Sequence, residues 1–175
     1  MKQKKLHLDV WISAIGAGLT IMLVSILCDY LSSSDSHPLL VSSMGASSIL
    51  IFYRPHGDLS QPWHVFGGHL FAATVGLLGA QLLEINSGLT LAQISGLAVA
   101  LTLVVMHYTN SVHPPGGGTT LFAVLSASQL GMFQIFLSVL LNVALILSLA
   151  TIINSFFPHR RYPNSLFLYF KSQSN

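Results

Sequence analysis

The chain has 175 residues, 52% hydrophobic and only 7% charged, with a mean hydropathy of +0.68. A soluble domain carries about 25% charged residues, so the composition excludes an ordinary soluble protein and predicts a membrane protein, and a separate soluble domain is not expected within these residues. The net charge of +2 rests on 7 basic and 5 acidic residues, which marks no nucleic-acid partner, and a single cysteine, Cys28, rules out an internal disulfide or a cysteine metal site.

Residues 1–9 form a basic tail with Lys2, Lys4 and Lys5. Val10 to Cys28 is about one bilayer of apolar sequence, and its Gly16 and Gly18 permit close helix contact. It runs into Asp29-Tyr30 without a small-x-small cleavage pattern, so it reads as a retained helix rather than a signal peptide. Asp29 to His37 is polar and acidic, as an outer loop should be. Pro38 opens a second run, Leu39 to Tyr53, which is short for a span and predicts a broken or re-entrant helix.

The polar connection Arg54 to His64 leads into a third helix, Val65 to Leu83, with Pro62 at its beginning and Trp63 at the interface. Gly68, Ala72, Gly76 and Ala80 form a small-xxx-small seam for a dimer interface or for packing within the chain. Glu84 to Gly88 is a turn, and Ala92 to Tyr108 is the fourth apolar segment. The stretch His113-Pro114-Pro115-Gly116-Gly117-Gly118-Thr119-Thr120 follows, predicted as an irregular loop that becomes a short helix over Leu121 to Ala127. A turn at Gln129-Leu130-Gly131 precedes the last span, Met132 to Phe157, which carries Asn142 near its middle.

These segments predict an all-α, polytopic helical bundle: a single domain over 1–175 with four full spans and two short segments. Long helix, short broken helix, long helix occurs twice, at about 10–84 and 90–157. The short segments share a small pair, two hydroxyls and an apolar run: Gly45-Ala46-Ser47-Ser48 in one, Gly117-Gly118-Thr119-Thr120 in the other. Such paired, interrupted segments point to a transporter binding site. If both cross, the two units are inverted. Lys2 to Lys5, Arg54 and Arg160 then share one side; if both dip in and return, there are four spans and Arg54 lies outside. The positive-inside tendency makes both termini cytoplasmic.

The run His113 to Leu121 resembles the signature of the HPP family of integral membrane proteins. Met44-Gly45-Ala46-Ser47-Ser48 and Gln61-Pro62-Trp63-His64-Val65-Phe66-Gly67-Gly68-His69 resemble that family's other characteristic stretches. Gly118 departs from the pattern, standing where the family more often has alanine. The family is usually described with four spanning helices, and its plant and cyanobacterial relatives are associated with nitrite transport. The resemblance therefore implies a small-anion transporter, and the expected location is the inner (plasma) membrane.

The residues themselves agree with an anion. Unsatisfied N–H groups of Gly116 to Thr119 at a helix start would form a concave nest, and the Thr119 and Thr120 hydroxyls would add donors. The expected binding set is His113, Pro114, Pro115, Gly116, Gly117, Gly118, Thr119 and Thr120 from one half, with Gly45, Ala46, Ser47 and Ser48 from the other. No Lys or Arg lies in either short segment, which favours a releasable monoanion, nitrite first, over phosphate.

His113 and His69 are the candidates for proton coupling. His64 and His69, five apart, lie on different helix faces and do not suggest a metal pair, while His107 and His113 are joined by an irregular segment that leaves their convergence open. No metal, cofactor or catalytic residue is expected. The expected partners are the bilayer, a small inorganic anion and a second copy of the chain. A non-transporting scaffold acting through the seam is the alternative reading, and an intramembrane enzyme the third.

Overall fold

The structure, a computed structural model, describes residues 7–31, 41–85 and 88–164. The regular elements among the described residues are α1 (His7–Leu31), α2 (Ser43–Tyr53), a 3-10 turn (Asp58–Ser60), α3 (Pro62–Glu84), α4 (Leu91–Tyr108), α5 (Gly116–Leu130) and α6 (Met132–Ser155). α1, α3, α4 and α6 are long and apolar enough to cross a membrane. α2 and α5 have 11 and 15 residues, or about 16 and 22 Å at about 1.5 Å per residue, short of the roughly 30 Å hydrocarbon core. The expected helical bundle of four full spans and two short helices is the fold. The basic tail before His7 and the His37-Pro38 pair lie outside the described residues.

Local chemistry sets the helix ends. Pro62 occupies the first turn of α3, where its missing N–H costs nothing. α4 opens with a capping box: Gln93 N–H donates to Thr90 Oγ1 at 3.3 Å, and Thr90 N–H donates to Gln93 Oε1 at 2.8 Å. Gly131, at φ +80°, separates α5 from α6. α5 continues through Leu130, so the turn expected over three residues is made by this one glycine.

α3 is the hub, packed against α4, α5 and α6. Its start lies beside the end of α4, where Trp63 Nε1 donates to the Thr109 carbonyl at 3.1 Å. α5 runs parallel to it, with Gly68 against His113 and Gly76 against Thr120 and Ala123. α6 starts near the far end of α3, where Gln81 approaches Met132, and returns so that Asn164 N–H reaches Gln61 Oε1 at 2.9 Å. α1 begins at that same near face, its Asp9 beside His159 and Arg160, and its Cys28 meets Asn142 further along α6. α2 ends at the near face, with Ser60 Oγ on the Leu50 carbonyl. Directions therefore alternate through all six helices, and the two long–short–long units run inverted.

The small-residue seam of α3 is used inside the chain. A Cβ on Gly76 would lie 2.6 Å from the Thr120 carbonyl oxygen and 2.7 Å from Ala123 Cβ. Gly68, Ala72, Gly76 and Ala80 are all buried. The alternative of a dimer interface through this seam is thereby corrected: α5 already occupies it. Of the two α1 glycines, Gly16 is pressed against Phe52, whereas Gly18 meets nothing within 4 Å.

The segment after α6 folds back under the bundle at the near face. Arg160 is buried, donating from Nε to Asn154 Oδ1 at 2.9 Å and from Nη2 to Ser13 Oγ at 3.1 Å and to the Phe52 carbonyl. One guanidinium thus ties α1, the end of α2 and the end of α6. Burial lowers its pKa below the usual arginine value, and Asp9 opposes that shift.

Candidate functional site

The glycine-rich stretch is helical where an irregular loop was expected. Gly116 to Thr120 form the first turns of α5, with Pro115 immediately before them. The irregular backbone is confined to residues 109–115, where Asn110 adopts φ +51°. None of Gly116, Gly117 and Gly118 has positive φ. Close approach explains Gly116, whose Cβ would lie 2.4 Å from Met106 Cε and 3.0 Å from the Gly68 carbonyl oxygen. Gly67 and Gly68 serve the same contact from α3: a Cβ on Gly68 would lie 2.5 Å from His113 Cβ.

The expected nest of free N–H groups is also corrected. Gly116, Gly117 and Gly118 donate to the His113, Pro114 and Pro115 carbonyls at 2.9, 3.0 and 3.0 Å. At the start of α2, Met44 and Gly45 donate to the Val41 and Ser42 carbonyls. The tight turns preceding both helices consume donors that sequence reasoning left open. The polar groups that converge here are side chains.

His69, from α3, and His113, from the 109–115 segment, are fully buried with ring centroids 5.0 Å apart. Ser47 of α2 bridges them, its Oγ 2.7 Å from His69 Nε2 and 2.9 Å from His113 Nε2. His69 Nδ1 is 2.7 Å from Thr119 Oγ1 of α5, which is 2.6 Å from Ser43 Oγ of α2. His113 Nδ1 is 2.8 Å from the Leu59 carbonyl in the 3-10 turn. Five side chains from three helices and one connecting segment form a continuous network inside the bundle. Its members are hydroxyls, imidazoles and one carbonyl.

The proton positions follow from counting. Two buried rings with no counter-ion in their hydrogen-bonding shell are neutral, each with one donor and one acceptor nitrogen. His113 Nδ1 faces a carbonyl and must donate, so its Nε2 is left as an acceptor, and it takes the single Ser47 proton at 2.9 Å in preference to the Ser43 carbonyl at 3.3 Å. Ser47 then accepts from His69 Nε2–H, His69 Nδ1 accepts from Thr119, and Thr119 accepts from Ser43. The opposite His69 tautomer would leave two ring nitrogens competing for one serine proton. All donors therefore point one way, from Ser43 to Leu59.

His113, Ser47 and Thr119 from the expected set enter this network together with His69. Ser48 turns away to the Ala17 carbonyl of α1 at 3.1 Å, and Thr120 pairs with Thr102 of α4 at 2.8 Å. Gly45 and Gly117 face open space, with nothing within 4 Å of a Cβ on either. Ala46, Pro114 and Gly118 are exposed, and Pro115 is half-buried. His107 is exposed on α4 and does not meet His113, while His64 Nδ1 faces the Val112 carbonyl at 3.1 Å.

Ser43 was missed, although its position four residues before Ser47 puts both hydroxyls on one helix face. The Leu59 acceptor belongs to the backbone and left no mark in the sequence. Asn142 donates to the Ser138 carbonyl and accepts from Val41 N–H, so it joins α6 to the approach to α2. Asp29, Asp58 and Glu84 are exposed at segment ends, as expected.

Fold and site together define a polytopic helical membrane protein with a buried, uncharged polar centre where two half-length helices begin. The profile of the HPP transmembrane region matches residues 2–163, and the chain belongs to that family. It is 41% identical over 127 residues to one transmembrane protein of Dictyostelium discoideum, covering 71% of this chain and 40% of that protein. A second transmembrane protein of the same organism is 35% identical over 151 residues, covering 84% of this chain and 52% of the relative. The chain thus spans about half the length of these curated relatives or less. No solved structure matches it.

Proposed function

We propose that the protein transports a small monovalent anion, nitrite first among candidates, past the hydroxyl pair Ser43–Thr119. The observation that carries this reading is the meeting of two half-length helix starts at a buried, neutral set of donors. The positive ends of the α2 and α5 dipoles both lie at this pair. An anion there would exchange the Ser43–Thr119 bond for two hydroxyl donors. With no cation in the network, binding stays weak enough for release, as conduction requires.

The two inverted units act as repeats in this proposal, with Ser43 and Ser47 from one and Thr119 and His113 from the other meeting beside His69. Arg54 and Arg160 lie at the near face, which the positive-inside tendency makes cytoplasmic in the plasma membrane. A homodimer would have to use a surface other than the α3 seam. A scaffold reading loses the same surface. An intramembrane hydrolase is favoured by one contact, Ser47 on an imidazole, and would reveal itself by fluorophosphonate labelling of Ser47.

The direct test is uptake of nitrite into liposomes containing the purified protein, with nitrate, formate and chloride alongside. Saturable nitrite flux above protein-free liposomes is expected. Thr119→Val should abolish it in a protein that still inserts and folds, because the change keeps the shape of the side chain and removes one of the two hydroxyl donors. Normal flux through a well-folded Thr119→Val protein would refute the assignment of the pathway to this hydroxyl pair.

A further inference from the structure

We propose that the one-way hydrogen-bond chain Ser43–Thr119–His69–Ser47–His113–Leu59 is a proton relay that makes anion passage electroneutral, one proton per anion. This rests on the anion reading above and specifies its coupling ion. The argument begins at Thr119, which has a single hydroxyl proton and gives it to His69 Nδ1 in the resting network. An anion seated at Ser43 and Thr119 takes that proton as a hydrogen-bond donor. His69 Nδ1 is then a buried lone pair without a donor, next to a negative charge. Taking up one proton satisfies both: His69 becomes an imidazolium, Nδ1–H turns to the Thr119 oxygen, and the anion gains a counter-charge.

The balance is one anion and one proton in, with no net charge buried. Without the proton, the site would hold an unpaired ion out of water, which burial strongly disfavours. The chain also dictates where the proton goes. An excess proton travels in the direction of donation, so His69 Nε2–H passes to Ser47, and the Ser47 proton passes to His113 Nε2. His113 then holds the charge with Nδ1–H on the Leu59 carbonyl, in a turn whose Leu59 side chain is exposed at the near face. Release from Nδ1 completes one transfer and leaves both rings in the opposite tautomer, His69 with Nδ1–H and His113 with Nε2–H. Once the anion has left, the resting chain is restored by rotation of the hydroxyls together with reorientation and proton exchange of both imidazoles.

Among the described residues the surroundings offer no competing base. α5 has no ionisable side chain, α2 has only Tyr53, and the 3-10 turn contributes Asp58, which is exposed. On α3 the other ionisable groups are His64, which faces the Val112 carbonyl, and Glu84 at the far end of the helix. α4 contributes the exposed His107 and Tyr108. The relay is the route that the buried groups provide.

The experiment measures labelled-nitrite counterflow, and then net nitrite uptake with a trapped pH dye under imposed pH gradients and potassium–valinomycin potentials. The wild type is expected to take up one proton per nitrite, to be driven by an acidic exterior and to ignore the potential. Ser47→Ala should lose the pH-gradient drive, with whatever flux survives following the potential, whereas Ser47→Thr should keep the coupling. Wild-type uptake that follows the potential and ignores the pH gradient would overturn the relay while leaving the anion reading intact. So would Ser47→Ala with unchanged stoichiometry. Absence of counterflow in folded wild-type protein would overturn the anion reading, and the relay with it.

Discussion

Removing the Ser47 hydroxyl tests the network without any assumption about transport. In Ser47→Ala, His69 Nε2–H loses its acceptor and His113 Nε2 loses its donor, both at fully buried positions. An unsatisfied buried polar group costs about 1–3 kcal/mol, so two cost roughly 2–6 kcal/mol. Ser48→Ala, one residue along the same helix, gives the contrast. Ser48 donates a single bond to the Ala17 carbonyl, and such interhelical bonds average about 0.6 kcal/mol in membranes. Ser47→Thr keeps the hydroxyl and should stay near the wild type. Reversible unfolding in mixed micelles, or thermal melts of the purified protein, would rank the three variants. If Ser47→Ala proved as stable as Ser48→Ala, within about 0.5 kcal/mol, the buried pair would not be held as described and the directional assignment of its protons would fail.

Three further outcomes follow from the packing and the topology. Gly76→Ala drives a Cβ to within 2.6 Å of the Thr120 carbonyl and should destabilise by about 1–3 kcal/mol through overpacking; Gly96→Ala, with nothing within 4 Å, should not, and equal melts would refute the α3–α5 seam. Tyr162 is buried with its hydroxyl lacking a hydrogen-bond partner among the described residues, and burial raises its pKa. Tyr162→Phe should therefore stabilise the protein by about 1 kcal/mol. It should also remove part of the stability loss above about pH 10, where the unfolded phenol gives up its proton first; unchanged melts at both neutral and high pH would count against this placement. In a Cys28→Ala background, His56→Cys and His159→Cys should be labelled by an impermeant maleimide from one side, and Leu89→Cys and Gln129→Cys from the other. Labelling of His56→Cys from the same side as Leu89→Cys would refute the alternating directions.

Apolar runs made the long spans legible, because a bilayer demands about 20 consecutive apolar residues wherever a helix crosses. The borders of α3, α4 and α6 fall within three residues of those read from sequence. His69 and His113 were legible as candidates for proton coupling, because histidine is the side chain that titrates near neutral pH. The glycine run was harder. Glycine signals both unusual φ and close approach, and sequence cannot tell which; here Gly116 serves approach, and the helix begins five residues earlier than Leu121. Arg160 was read as a flanking charge, because nothing in Pro158 to Tyr162 reveals that the chain folds back to offer it Asn154, Ser13 and the Phe52 carbonyl.

The two half-length helices explain why the polar network sits where it does. A helix that starts inside a membrane brings polar backbone with it, and that backbone must be satisfied within protein. The turns before α2 and α5 satisfy part of it internally. The hydroxyls of their first turns then remain, and the two helices distribute them alike. The first hydroxyl of each pair, Ser47 or Thr119, faces inward to His69. The second, Ser48 or Thr120, anchors its helix to the long helix that opens its own unit, α1 or α4. One hydroxyl of each pair is therefore structural and the other is free to serve the centre. Replacing Ser47 and Thr119 by alanine, with Ser48 and Thr120 left in place, should preserve the anchors and abolish the network, so the double variant should insert with the same labelling pattern yet melt lower than the Ser48→Ala, Thr120→Ala pair.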